Sequence, residues 1–212
     1  QMAIDSMDFI EQKFRGTGIF HYFHAYKAGK TTIPAFLDDY AFLIEAFIQL
    51  QEITGNAGYL EKAGALTHWV IRYFSEAETG YFFYTHMNQD DVIVRKKEIY
   101  DGAIPSGNAV MAANLLYLGI ALDIREWKQR SARLCEGLKE VIVKYPGSFG
   151  VWATLLNANS YEMIEIVLSG DNQKEKHLGF LAHFVPNRIF QLTSENQADF
   201  PLLRNKPVSG KP

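Results

Sequence analysis

The chain has one cysteine, Cys135, in 212 residues. A disulfide within the chain and a metal site built from cysteine alone are both excluded. Cys135 falls on a helical pattern, where a buried thiol is expected. There is no basic stripe, and the net charge is only -3, so a nucleic-acid partner is not expected. No apolar run approaches the ~20 residues that a membrane helix needs, and no membrane partner is expected. Residues 1–8 lack the basic start and apolar run of a signal peptide. These absences fit an intracellular setting, read here as cytoplasmic. His21 and His24 stand three apart with no acidic neighbour, too few ligands for zinc, and neither a metal nor a cofactor is assigned.

Aromatic and apolar residues are plentiful, at 14% and 48%, enough for a sizeable core. Residues 2–15 carry an apolar stripe at helical spacing and end at Gly16 and Gly18. Residues 19–26 read as a short extended piece, with a turn at 27–30. Residues 34–53 form a helix that is apolar on most of its circumference, so it should be buried on most sides. Residues 58–74 form a one-sided amphipathic helix. Residues 80–85 and 91–95 are aromatic and β-branched around a polar turn, which predicts a hairpin. Another nearly all-apolar helix runs to Leu122, capped by Ser106 or Asn108. An amphipathic helix over 126–143 and a short one over 149–157, capped by Ser148, follow.

The pattern repeats at an offset of 68 residues, from Leu50 to Leu118, Tyr59 to Trp127 and Ala63 to Ser131. Each unit is a buried helix, a turn and a half-exposed helix. Stacked hairpins of that kind predict a mainly α protein, a partial α/α toroid of about six helices with a β-hairpin at its mouth. After residue 160 the pattern changes. Strand candidates at 163–168 and 187–192 flank a helical stretch at 173–184, a small C-terminal βαβ appendage. The domains are therefore read as 1–160 and 161–212, with the appendage's remaining strand expected beyond Pro212. The turn at 169–172 is a weak anion-site signal, and a plain tight turn is preferred there.

Parallel inner helices of a toroid gather their N-termini at one end. Asp38 and Asp39 begin one such helix, and Pro105 to Asn108 begin the next. Paired carboxylates there suit general acid/base work on glycosidic bonds, and the candidate acids are Asp39, Glu98 and Asp101. Tyr40, Tyr81, Phe83 and Tyr100 offer flat faces for sugar rings. Asp38, Arg95, Ser106 and Asn108 are candidates for binding hydroxyl or carboxylate groups. Each has a structural competitor. Acids, serine and asparagine all cap helices, and Glu98 can pair with Arg95 or Lys97.

Three stretches carry a family resemblance: Phe36-Leu-Asp-Asp-Tyr-Ala41, Gly80-Tyr-Phe-Phe83 and, above all, Lys97-Glu-Ile-Tyr-Asp-Gly-Ala-Ile-Pro-Ser-Gly-Asn108. They resemble a family of thioredoxin-domain-containing proteins of unknown function, the spermatogenesis-associated protein 20-like family. The match spans most of residues 1–193. The resemblance implies a C-terminal barrel of the six-hairpin glycosidase type, distantly akin to N-acylglucosamine 2-epimerase, and hence a carbohydrate-related role. It implies no redox role here, because the thioredoxin-like part is absent from this sequence. About six helices are half of a closed barrel, so the expected partners are a carbohydrate and either the missing N-terminal half or a second copy. Epimerases of this kind use histidines as acid and base, and no histidine here stands at an inner-helix start. The alternative to a sugar-processing domain is a non-catalytic scaffold that docks a protein partner.

Overall fold

Two largely apolar helices organise the fold. The computed structural model describes residues 1–169, 173–193 and 200–204. In chain order it has α1 (Met2–Lys13), β1 (Phe23–Lys27), β2 (Lys30–Pro34), α2 (Leu37–Thr54), α3 (Ala57–Phe74), α4 (Gly107–Ala121), α5 (Arg125–Glu136) and α6 (Lys139–Lys144). Then come α7 (Gly150–Tyr161), β3 (Ile164–Ser169), α8 (Gln173–Leu181) and β4 (Arg188–Thr193), with short 3-10 turns at Pro146–Ser148 and Pro201–Leu203. The protein is mainly helical. No helix among the described residues is long and apolar enough to cross a membrane.

The helical repeat is present as packing. α2 lies against α3, α4 lies against α5, and α2 and α4 lie against each other. Nearly every residue of α4 is buried, whereas α5 buries only Trp127, Ser131, Leu134 and Cys135. That contrast is the one expected of an inner helix with partners all round and an outer helix with one wet face. α2 and α4 run in the same direction. Gly107 N–H donates to Asp38 Oδ1 at their N-termini, at 2.8 Å, and the Tyr117 hydroxyl donates to Glu52 near their C-terminal ends, at 2.9 Å. Gly55 closes α2 in the left-handed region, at φ 71°, which suits glycine.

The C-terminal segment is strand, helix, strand. β3 and β4 pair in parallel from Ile164↔Arg188 to Ser169↔Thr193. β4 is fastened to the C-terminal ends of the inner helices by one buried acid. Glu52 Oε1 accepts from the Tyr117 hydroxyl and from Phe190 N–H at 3.3 Å, and Oε2 accepts from Arg188 at 3.1 Å. A buried carboxylate is tolerated only with such partners. Burial, helped by the Glu52 charge, pushes the Tyr117 phenol well up.

Several expectations need correction. Residues 80–95 form no two-stranded ladder. Phe82 makes one isolated bridge to Ser75, and Tyr84 N–H reaches Lys96 O. Ile93 is 99% exposed, so pairing the second arm would bury little apolar surface. The hairpin forms earlier instead, as antiparallel β1–β2, where Phe23 pairs with Pro34 and Lys27 with Lys30. Ile33, near the end of β2, is strained there, since it is β-branched with φ 65°. α2 accordingly starts at Leu37 rather than residue 34. The helix expected over 126–143 is interrupted at Gly137-Leu138, between α5 and α6. The turn proposed for a weak anion signal falls largely on 170–172, outside the described residues.

Candidate functional site

The polar stretch 97–108 is a hand-over built from hydrogen bonds. Asp101 is its centre. Oδ1 accepts from Ser106 N–H at 3.0 Å and from the Ser106 hydroxyl at 3.3 Å, and Oδ2 accepts from Val151 N–H at 2.9 Å. One carboxylate therefore holds the start of α4 and the start of α7. This corrects the expected cap of α7, which comes from Asp101 across the fold and not from Ser148. Ser106 is the N-cap of α4, its hydroxyl accepting from Ala109 N–H. Asn108 is buried and serves as a piece of missing backbone. Its side chain accepts from Phe82 N–H at 2.8 Å and donates to Phe82 O at 3.0 Å and Glu98 O at 2.8 Å. Gly107 is needed for approach, because a Cβ there would collide with Asp38 Oδ1 and Leu37.

Asp38 and Asp39 do different things. Asp38, the second residue of α2, bonds outside its own helix: its Oδ1 accepts from Gly107 N–H, the first of α4. Asp39 Oδ2 accepts from Phe36 N–H at 2.8 Å, closing the start of α2, and both its oxygens lie within 3.0 Å of His24 Nδ1 on β1. Burial raises the Asp38 carboxyl to about 6 despite the Gly107 bond, and the charges of Glu98 and Asp39 push the same way while His24 pulls back. Burial, with the fields of Asp38, Glu98 and Asp39, pushes the Tyr84 phenol up to about 12. Asp38, Asp39 and Glu98 thus feel one another at a single place. Tyr84 stacks on Phe36 at 4.8 Å between ring centres, and Phe36 in turn faces His24 at 5.2 Å. Acids, an imidazole and a flat aromatic wall share the N-terminal ends of α2 and α4.

The other sequence candidates have different roles. Asp101 is half-buried and committed to the two caps described above. Tyr40 is buried at 3% exposure and bonds Phe20 O, so it presents no face to a ligand. Tyr81 donates to Leu134 O and packs on Trp152. Arg95 donates to Thr85 O and Tyr73 O while lying over the Phe83 ring. Tyr100 is 66% exposed at the rim, against Phe149. His24, Phe36 and Tyr84 were not among the candidates. No local pattern marks them, because the β1–β2 hairpin is what folds His24 back over α2. Among the described residues, no group of three or more His, Cys, Asp and Glu side chains is placed to hold a metal ion.

Away from these residues, a groove of about 410 Å³ runs along α2, α4 and α7, lined by Glu45, Gln49, Ala113, Asn114, Val151 and Thr154 among others.

No family model matches the chain. It is similar to spermatogenesis-associated protein 20 of mouse, 28% identical over 170 residues, and of human at the same identity and length. It is also similar to an uncharacterised protein of Caenorhabditis elegans, 33% identical over 147 residues. These alignments cover 78%, 78% and 69% of this chain and 22%, 22% and 20% of the respective relatives. The chain therefore spans about a fifth of the length of the relatives it matches. The agreement of two mammalian proteins and a nematode one over most of this helical chain supports kinship with the spermatogenesis-associated protein 20 family.

Proposed function

We propose that the chain is a carbohydrate-binding or carbohydrate-processing portion of an α/α toroid, acting at the N-terminal ends of α2 and α4. The parallel setting of two inner helices, each backed by an outer one, supports the toroid reading. The observation that carries the function is the convergence of Asp38, Asp39 and Glu98 beside the Phe36–Tyr84 wall. Sugars need both parts of that arrangement. Ring faces stack on aromatic surfaces, and glycosidic chemistry needs one carboxyl group protonated beside another that is ionised. Asp38, raised to about 6, suits the acid, and the exposed Glu98 is the second carboxyl group. Asp101 belongs to the framework of this site.

The test is a panel of oligosaccharides and 4-nitrophenyl glycosides, read by calorimetry and by nitrophenol release. Asp38→Asn with Glu98→Gln is expected to abolish turnover, and Tyr84→Ala to weaken binding. Failure of the whole panel to bind or react would overturn the reading. The scaffold alternative has one observation in its favour: an apolar groove of about 440 Å³ between α1 and α2, lined by Met7, Ile10, Phe42, Ala46, Leu50 and Ile53.

A further inference from the structure

Of the six histidines, only His24 combines a carboxylate on one ring nitrogen with solvent at the other. His86 Nδ1 accepts from Asn88 N–H, His177 bonds Glu52 O in a buried setting, and His183 bonds Gly179 O. His68 and His21 pack against Trp127 and Trp69. His24 Nδ1 lies 3.0 Å from Asp39 Oδ1 and 2.9 Å from Oδ2. A carboxylate only accepts, so Nδ1 carries the proton, and in the neutral ring Nε2 is left with a free lone pair. No described group bonds Nε2, and the side chain is 46% exposed. Asp39 is itself fixed by Phe36 N–H at the start of α2, so the helix sets the ring's orientation. Phe36 supports the ring's side.

The Asp38 carboxyl is close enough for His24 to act on it electrostatically. Its Oδ1 is taken by Gly107, and Oδ2 accepts from no described group. The site thus holds two uncommitted atoms of opposite character, a basic nitrogen and a carboxyl oxygen.

We propose that His24 is the general base of this site, Asp38 its general acid, and Asp39 a positioning residue that fixes the His24 tautomer. The proposal rests on the sugar-processing reading and names who moves each proton. Nε2 of His24 takes a proton from water as the water oxygen bonds to the anomeric carbon. The bond from that carbon to the leaving oxygen breaks, its electron pair stays on the leaving oxygen, and Asp38 Oδ2 protonates it. His24 then releases its proton to solvent, and Asp38 regains one. Glu98, whose field reaches Asp38, offsets the positive charge that develops on the sugar ring. Water is the only co-reactant.

Two measurements on the full chain test this. The tautomer of His24 is read by ¹⁵N–¹H correlation NMR at alkaline pH, without any sugar. The Nδ1–H form is expected in the wild type, and the Nε2–H form, preferred by an unconstrained histidine side chain, in Asp39→Ala. A wild-type Nε2–H ring overturns the dyad, whatever the glycoside panel gives. On a hydrolysed glycoside, His24→Gln is expected to lower kcat by about 100-fold or more with KM within about threefold, as removal of a general base does. Asp39→Ala should lower kcat less, with sugar affinity kept, and added imidazole should restore part of the rate of His24→Ala. Wild-type kcat in His24→Gln overturns the base assignment. A panel with no bound sugar overturns the proposed function and the proton path together, while the tautomer still decides the dyad.

Discussion

Asp38 illustrates how one side chain can be both a structural link and a reactive group. Its Oδ1 ties α2 to α4, yet burial keeps its proton on until about pH 6. An acid whose folded pKa is raised above the unfolded value near 4 binds more protons folded than unfolded. Its contribution to stability is therefore fully present below about pH 4 and is lost as pH rises through about 6. Above that, the ionised carboxylate sits at a cost beside Glu98 and Asp39. Asp38→Asn keeps an oxygen acceptor for Gly107 N–H and removes the charge. Allowing for partial solvent screening, the variant should be more stable than the wild type by about 1–2 kcal/mol at pH 7.5 and equal to it at pH 4. Urea unfolding at the two pH values measures this. A variant less stable at pH 7.5 would mean that the ionised carboxylate is held favourably. The same substitution removes the proposed acid, so a gain in stability with a loss of turnover is the expected signature of a site strained for function.

At the scale of elements, the acids divide into those that build and those that remain free. Asp101 caps α4 through Ser106 and α7 through Val151, two helix starts served by one carboxylate. Asp101→Ala should cost about 1.5–3 kcal/mol, near the sum of two lost caps, and speed amide exchange at Ser106 and Val151. Glu98→Gln, at an exposed side chain, should change stability by less than about 0.5 kcal/mol. Equal losses in the two variants would remove the distinction drawn between framework and site. The inner helices α2 and α4, the outer α3 and α5, and the C-terminal strand–helix–strand were legible because apolar period alone defines them. Residues 80–95 were not. Gly80-Tyr-Phe-Phe-Tyr84 looks like a strand, but its backbone is satisfied by the end of α3 and by the Asn108 side chain, 26 residues away. The site was half legible for the same reason. Asp38, Asp39 and Glu98 were readable as polar residues at helix starts and rims. His24 and Tyr84 meet Phe36 only through contacts that no window of sequence contains, and the distant N–H of Val151 that Asp101 accepts could not be seen either.

For the molecule as a whole, the question is which apolar surface remains open. Met2 is 83% exposed, Phe9 47% and Ile53 51%, and all three lie along or beside the α1–α2 groove. α2 is buried on its α3 and α4 sides, yet Phe42, Ala46 and Ile53 face this groove with only α1 across it. Contiguous apolar surface of that kind on a helical layer favours a further helix packed against it. In the isolated chain, a second copy can supply that helix through the same face, which is the geometry of a two-fold dimer. The isolated chain should therefore self-associate in a concentration-dependent way in sedimentation equilibrium. Ala46→Glu with Ile53→Lys places two charges in the groove and leaves the α2–α4 contact untouched. Each burial lost is worth about 1.5–3 kcal/mol for a side chain the size of isoleucine, so the double variant should weaken association by at least about tenfold. Its helical circular dichroism and its response to the glycoside panel should be unchanged, because the groove and the carboxylate site lie on different parts of α2. A wild-type chain that stays monomeric at high concentration would show that α1 alone covers the groove well enough, and that this face calls for no partner.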